Sequence, residues 1–232
     1  MMTESQHSIR FLLNSQLIEL DFNQTEYKPT TTVLNYLRSL PFYKGVKEGC
    51  AEGDCGACTV VIAESIAGSL TYKTIDSCLV FLPMLHGKQL ITVEHLAHDK
   101  TLHPVQQAMV DQNGSQCGYC TPGIVMSLFG VYKNHRNPGS EVIKDALTGN
   151  LCRCTGYRPI VDAAAASCKG TDTDQFTAQS DDLLLRLNSI TSDTRPVVIV
   201  AMNQEYMKPF TLKDALNYRG QHPGAMVVSG AT

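Results

Sequence analysis

The sequence predicts an α+β chain, a small mixed sheet followed by a four-helix domain. Three observations predict it. Short β-branched stretches alternate with turns up to residue 93, the apolar spacing turns helical from Leu102, and one cysteine quartet falls in each part. The upstream quartet is Cys50, Cys55 and Cys58 in one loop, with Cys78 beyond it. The downstream quartet is Cys117 with Cys120 and Cys152 with Cys154. Eight of the nine cysteines are so placed, leaving Cys168. The expected boundaries are 1–98 for the sheet domain, 99–169 for the helical domain, 170–204 for a linker and 205–232 for the beginning of another domain.

Residues 9–21 read as a hairpin, because Ile9, Phe11 and Leu13 alternate and Asn14-Ser15 supplies the turn. Residues 30–40 read as a helix with Val33, Leu34, Leu37 and Leu40 on one face, stopped by Pro41. Strands are expected at 59–64, 70–75 and 89–93, with an apolar run at 79–85. Four or five short strands around one helix fit a β-grasp sheet.

In the helical part, Pro104 suits a first helical position, and Val105, Ala108 and Met109 share a face that ends at Gly114. Thr121 is expected to cap the second helix, with Pro122 opening it and Ile124, Val125, Leu128, Phe129 and Tyr132 facing inward. Ser140 is expected to cap a third, Gly149 to close it, and Pro159 to open a fourth over 160–168. Residues 170–195 are polar and read as a linker with a helical turn at 181–187. A helix at 209–219 and a strand at 225–228 follow. Met84, Met109 and Met126 are expected in the core, Cys168 as a buried small side chain, and His103 as a cap or interface residue.

The cysteine spacings carry the chemistry. C-x4-C-x2-C with a distant fourth cysteine is the plant-type pattern for a [2Fe-2S] cluster. Two tight pairs from two loops can hold a second tetrathiolate centre. Gly49, Gly53 and Gly56 stand among the first ligands, where glycine lets the backbone wrap a cluster and aim N–H groups at sulfur. Cys120 directly precedes a helix N-terminus, whose positive end suits a negatively charged centre, and Arg153 between two ligands adds to it or is simply solvated. Tyr119 is expected to shield the second centre from water. Residues 1–10 are polar, without an apolar signal core or a twin-arginine pair, so the expected compartment is the cytoplasm, where thiols stay reduced and disulfides are disfavoured. A net charge of -3 gives no basic excess for nucleic acid, and no apolar run of about 18 residues or more points to a membrane span.

At these residues the chain resembles a family. Residues 48–59 (EGCAEGDCGACT), 102–109 (LHPVQQAM), 115–123 (SQCGYCTPG) and 149–160 (GNLCRCTGYRPI) are similar to the small, iron–sulfur and FAD-bearing subunit of bacterial xanthine dehydrogenases, which are molybdenum hydroxylases. The resemblance implies a plant-type [2Fe-2S] cluster on Cys50, Cys55, Cys58 and Cys78 in a β-grasp, ferredoxin-like domain. It implies a second [2Fe-2S] cluster on Cys117, Cys120, Cys152 and Cys154 in the helical domain. It also implies a molybdopterin cofactor on a partner large subunit, approached by Gln116 and Cys154, in a heterodimer or a dimer of heterodimers. Electrons from a purine hydroxylated at molybdenum then pass through both clusters to FAD and NAD, so the chain is an oxidoreductase subunit in purine catabolism. No catalytic acid, base or nucleophile is expected in it. Residues 209–232 resemble the beginning of the family's FAD-binding domain, with Ser229, Gly230, Ala231 and Thr232 at the first FAD loop. That domain continues well beyond Thr232 in the family, so a truncated chain is expected, with FAD bound only by the complete subunit. The alternatives are the iron–sulfur subunit of a hydroxylase acting on aldehydes, carbon monoxide or N-heterocycles, and a structural zinc module with two four-cysteine sites.

Overall fold

The computed structural model describes residues 7–170, 174–190 and 196–228. Strands β1 (Ser8–Leu13) and β2 (Gln16–Asp21) form the expected antiparallel hairpin, with Asn14 at the turn at φ 56°. Strands β3 (Thr59–Ile66) and β4 (Ser69–Asp76) form a second antiparallel pair. The short β5 (Gln89–Ile91) lies between the pairs, parallel to β1 and antiparallel to β3, giving the order β2-β1-β5-β3-β4. Helix α1 (Val33–Ser39) crosses one face, begun by Thr32, whose hydroxyl accepts from the Asn35 N–H at 3.2 Å. The apolar run at 79–85 contains a 3-10 turn, Leu82–Leu85.

Both faces of this sheet are covered. Ile9, Phe11, Leu13, Val60, Ile62 and Leu90 point toward α1, and their neighbours Leu12, Val61, Ala63 and Ile91 point the other way into a second core. That is why β3 reads as a nearly continuous apolar run from Val60 to Ala63 rather than strict alternation.

Helices α2 (Pro104–Asp111), α3 (Thr121–Asn134), α4 (Ser140–Ala146) and α5 (Arg158–Ser167) make the helical domain. Helix α3 is its axis: every residue from Gly123 to Tyr132 is buried, because α2, α4 and α5 pack on some sides and β3 and β4 on another. A Cβ on Gly130 would lie 2.6 Å from the Thr74 methyl, so a small residue is required where α3 meets β4.

Several local expectations are corrected. The residue that caps α3 is Cys120, while Thr121 is already helical and shares a hydroxyl hydrogen bond with Ser115 at 2.7 Å. Gly139 rather than Ser140 precedes α4, and Leu147 rather than Gly149 closes it. Met84 is half-buried, whereas Met109 and Met126 are core. The expected strand at 225–228 has no partner strand among the described residues, and Ser229, Gly230, Ala231 and Thr232 lie outside them.

The largest difference falls in the segment read as a linker. It folds into α6 (Gln175–Ala178) and α7 (Ser180–Ile190), and α7 buries Leu183, Leu187 and Ile190 against the sheet face shared with α3. The polar composition hid three apolar residues at helical spacing. Then β6 (Val197–Ala201) and β7 (Gln204–Lys208) form a hairpin whose Val197, Ile199 and Ala201 complete the α1-side core. Helix α8 (Leu212–Gln221), capped reciprocally by Thr211 and Asp214, buries none of its residues. No helix among the described residues is long and apolar enough to cross a membrane.

Asp174 fastens the α6 segment. Its buried carboxylate accepts from His103 Nε2 at 3.1 Å and from Lys133 Nζ at 3.0 Å, and caps α6 through the Thr177 N–H at 2.7 Å. Burial alone would raise its pKa, but His103, Thr177 and Lys133 outweigh burial and hold the carboxyl well below the usual range. A carboxyl with a depressed folded pKa contributes stability above its unfolded pKa of about 3.9 and loses it as pH falls through the lower folded value. Asp174→Asn is therefore expected to lower stability at pH 7 by about 3 kcal/mol, because the buried Lys133 ammonium loses its charged partner and the His103 Nε2 donor keeps only a neutral one. Its acid unfolding profile should also be flatter than that of the unaltered chain. Denaturant unfolding across pH 2–7 checks both.

Candidate metal centres

The first cysteine loop joins α1 to β3. Its backbone curls so that N–H groups point at sulfur: Cys50 Sγ accepts from Glu52 N at 3.4 Å and Asp54 N at 3.3 Å, and Cys55 Sγ accepts from Cys50 N at 3.3 Å. The Glu52 N–H, joined by that of Asp54 and the Cys55 thiol, lowers the Cys50 pKa to about 7, so this group readily becomes the thiolate that binds metal. Cys58 and Cys78 are buried beside one another, and burial with the neighbouring thiol pushes Cys58 to about 12. Cys78 is raised by burial and by the nearby charges of Asp76 and Cys50, which places it with the same group.

The glycines of this loop are required by space. A Cβ on Gly49 would meet Cys55 Sγ at 2.6 Å. Gly53 sits at φ 84°, where a Cβ would meet Leu79 at 2.4 Å.

The second quartet comes from the turn before α3 and the loop between α4 and α5. Burial and the adjoining Cys152 thiol push Cys120 to about 12. Burial raises Cys152 too, but the Thr155 hydroxyl, 3.1 Å from its sulfur, helps bring it below the ordinary thiol value. At the solvent edge, the Tyr119 N–H lowers Cys117, and its partner Cys154 is raised by Cys117 itself. Cys117 and Cys154 are exposed, whereas Cys120 and Cys152 are half-buried.

Within each quartet the thiols influence one another: Cys78 with Cys58 and Cys50, Cys117 with Cys154 and Cys152, and Cys120 with Cys152 and Cys117. Among the described residues no three His, Cys, Asp or Glu side chains converge as a site for one metal ion. The all-thiolate donors and the N–H groups aimed at sulfur fit a [2Fe-2S] group in each quartet.

The two quartets meet at a backbone seam. The Leu151 N–H donates to the Cys55 carbonyl at 3.0 Å, joining residues of the two cysteine loops. A Cβ on Gly123 would lie 2.1 Å from the Gly56 carbonyl, and one on Gly56 would lie 2.3 Å from the Gly149 carbonyl. The Tyr119 hydroxyl reaches across to the Glu48 carbonyl, so this half-exposed ring bridges the loops rather than only shielding a centre. Arg153 and Gln116 are exposed. Cys168 is buried at the end of α5, and His103 caps α2 by accepting from the Val105 N–H at 3.2 Å.

Sequence reasoning missed Asn150, Ser127 and Tyr157. Asn150 is 3% exposed and ties both loops to α3. The available signal was Ser127, the one polar side chain in the apolar run 123–131. Tyr157 stands at φ 65°, a rare conformation for a bulky residue. From there its hydroxyl accepts from the Cys152 N–H at 2.7 Å and donates to the Asn150 carbonyl at 3.0 Å.

Residues 92–165 match the [2Fe-2S] binding domain family. The chain is related to oxidoreductases of the molybdenum hydroxylase family. It is 46% identical over 159 residues to xanthine dehydrogenase of Emericella nidulans, a match covering 68% of this chain and 11% of that protein. It is 35% identical over 244 residues to aldehyde oxidase 3 of Mus musculus, covering 88% of this chain and 18% of that protein. The chain therefore spans less than a fifth of these curated relatives. Among solved structures, quinoline 2-oxidoreductase from Pseudomonas putida 86 superposes with a TM-score of 0.57 at 27% identity, covering 69% of this chain and 93% of that one. The aldehyde oxidoreductase from Desulfovibrio desulfuricans ATCC 27774 gives 0.60 at 29% identity, covering 70% of this chain and 17% of that one. These relations support an iron–sulfur, electron-transfer role.

Gly56→Ala is expected to force the seam open, since the added methyl meets backbone and the residue stands at φ 65°. Iron bound per chain after anaerobic reconstitution should fall by roughly half or more, the share of one of two clusters.

Proposed function

We propose that the chain is the iron–sulfur portion of a xanthine dehydrogenase, relaying electrons from a molybdopterin centre on a partner large subunit toward FAD and NAD. The observation that carries the reading is the placing of two all-cysteine quartets on either side of one seam, one with an exposed edge and one drawn inward. When bound, two [2Fe-2S] clusters supply one-electron relay stations.

The chain's own residues do three things for them. Cys50, Cys55, Cys58 and Cys78 hold the inner group, with the Cys50 sulfur stabilised by N–H groups that favour added negative charge. Cys117, Cys120, Cys152 and Cys154 hold the outer one, with Cys120 at the positive end of α3. The seam brings the two loops into backbone contact at Gly56, where an added side chain would clash.

The exposed edge supports a partner on that side. Gln116, Cys117 and Cys154 lie on it, with Tyr119 and Leu151 exposed as apolar surface in the same two loops. A molybdopterin subunit docking there is the expected arrangement, as a heterodimer or a dimer of heterodimers. FAD binding rests on the resemblance of residues 209–232, and the purine substrate on the xanthine dehydrogenase relatives. An aldehyde-oxidising system is the second reading, supported by the similarity to aldehyde oxidase 3.

Iron, acid-labile sulfide and the EPR spectrum of the reduced chain test the cluster reading. About four irons, about four sulfides and two distinct S = 1/2 signals are expected. Zinc without sulfide, in protein kept from oxygen throughout, would sink it. In the assembled enzyme, Cys154→Ser is expected to abolish purine-driven reduction of the inner group, and the chain alone to oxidise no purine. Substrate-driven reduction retained in that variant would reverse the proposed order.

A further inference from the structure

Asn150 is the most fully bonded side chain at the seam, and it ligates nothing. Its Nδ2 donates to the Gly56 carbonyl at 3.1 Å and to Thr59 Oγ1 at 3.1 Å, both in the first cysteine loop or directly after it. Its Oδ1 accepts from Ser127 Oγ on the buried axis helix at 2.6 Å. Its backbone N–H donates to Leu147 at 2.9 Å, and its carbonyl accepts from Tyr157. Donors and acceptors are satisfied on every side within a buried pocket, the condition under which a polar network specifies one geometry. The next residue, Leu151, carries the N–H that bonds the Cys55 carbonyl, and the one after it is Cys152.

We infer that Asn150 is a positioning residue that fixes the separation of the two cluster sites. Ser127 orients its amide, and its two donors draw the Gly56–Thr59 turn against the second cysteine loop. The inference rests on the two-cluster reading and adds to it a residue that sets geometry without touching a cluster. Asn150 acts on spacing, so its loss shows in the interaction between clusters rather than in their number.

The test uses the cluster-loaded chain and two uncharged variants, Asn150→Leu, which keeps the volume and removes the side-chain hydrogen bonds, and Ser127→Ala, which removes only the orienting donor. Iron content, thermal unfolding and the magnetic interaction between the two reduced clusters are measured together, the last as line splitting or relaxation enhancement. A through-space dipolar interaction falls steeply with distance, so it reads the spacing directly. Asn150→Leu is expected to keep its full iron complement while the interaction is lost or cut by at least half. Ser127→Ala is expected to move it in the same direction by less. A fully loaded Asn150→Leu with unchanged interaction overturns the inference while leaving the two-cluster reading intact. If Asn150→Leu does not load, Ser127→Ala decides by the same criterion. If neither variant takes up iron, the inference falls, because the clamp then serves assembly rather than spacing. An unaltered chain with four irons and no interaction also overturns it. An unaltered chain that binds no iron overturns the cluster reading and this inference with it.

Discussion

Everything near the cysteines depends on two backbones touching where no side chain fits. The Gly56 carbonyl lies against Gly123 at the start of α3, and the Gly149 carbonyl lies against Gly56 from the other side. This contact requires three chain segments to cross within van der Waals distance, which only glycine tolerates. Once they cross, Cys120 falls at the N-terminus of α3, Cys55 faces Leu151, and Asn150 is enclosed with polar partners in reach. The ligand loops can therefore be irregular while their relation is fixed, because the seam is anchored to a helix buried along most of its length.

The second organising feature is the double covering of the sheet. One face packs on α1 and the β6–β7 hairpin, and the other on α3 and α7. Sheet and helical domain consequently share a core that runs from Leu12 and Val61 through Phe129 to Leu187. The buried Asp174, held by His103 from α2's cap and Lys133 from α3, secures the segment that closes this core. Such a group contributes chiefly by having its partners present, since a lone buried charge is far less stable than a paired one.

Much of this was legible in the residues. The hairpin over 9–21, the strands after residue 59 and the four helices between α2 and α5 follow from alternation, helical spacing and proline placement, because each is set by local pattern. The cysteine spacings and the glycines among them were legible without any distant partner, and the reading of two four-cysteine sites rests on them. Less legible was anything decided by a distant partner. Residues 170–195 are polar enough to read as linker, and only the presence of a sheet face to cover makes Leu183, Leu187 and Ile190 the inward side of a helix. Thr121 is a good cap by type, yet Ser115 takes its hydroxyl and the helix begins one residue earlier. Asn150 could be picked out only once Ser127, Gly56 and Thr59 were brought around it.

The β6–β7 hairpin has a further consequence, in time rather than space. Val197, Ile199 and Ala201 belong to the same core as Ile9, Phe11 and Leu13, and His7 and Thr30 are hydrogen-bonded to Val200 and Gln204. During synthesis the first strands emerge long before the hairpin that covers them. The α1 side of the sheet keeps an open apolar strip until about residue 208 has left the ribosome. Cys50, Cys55, Cys58 and Cys78 are all synthesised before the hairpin that covers this face of the sheet. The order of translation sets an interval between synthesising the ligand loop and sealing the core behind it.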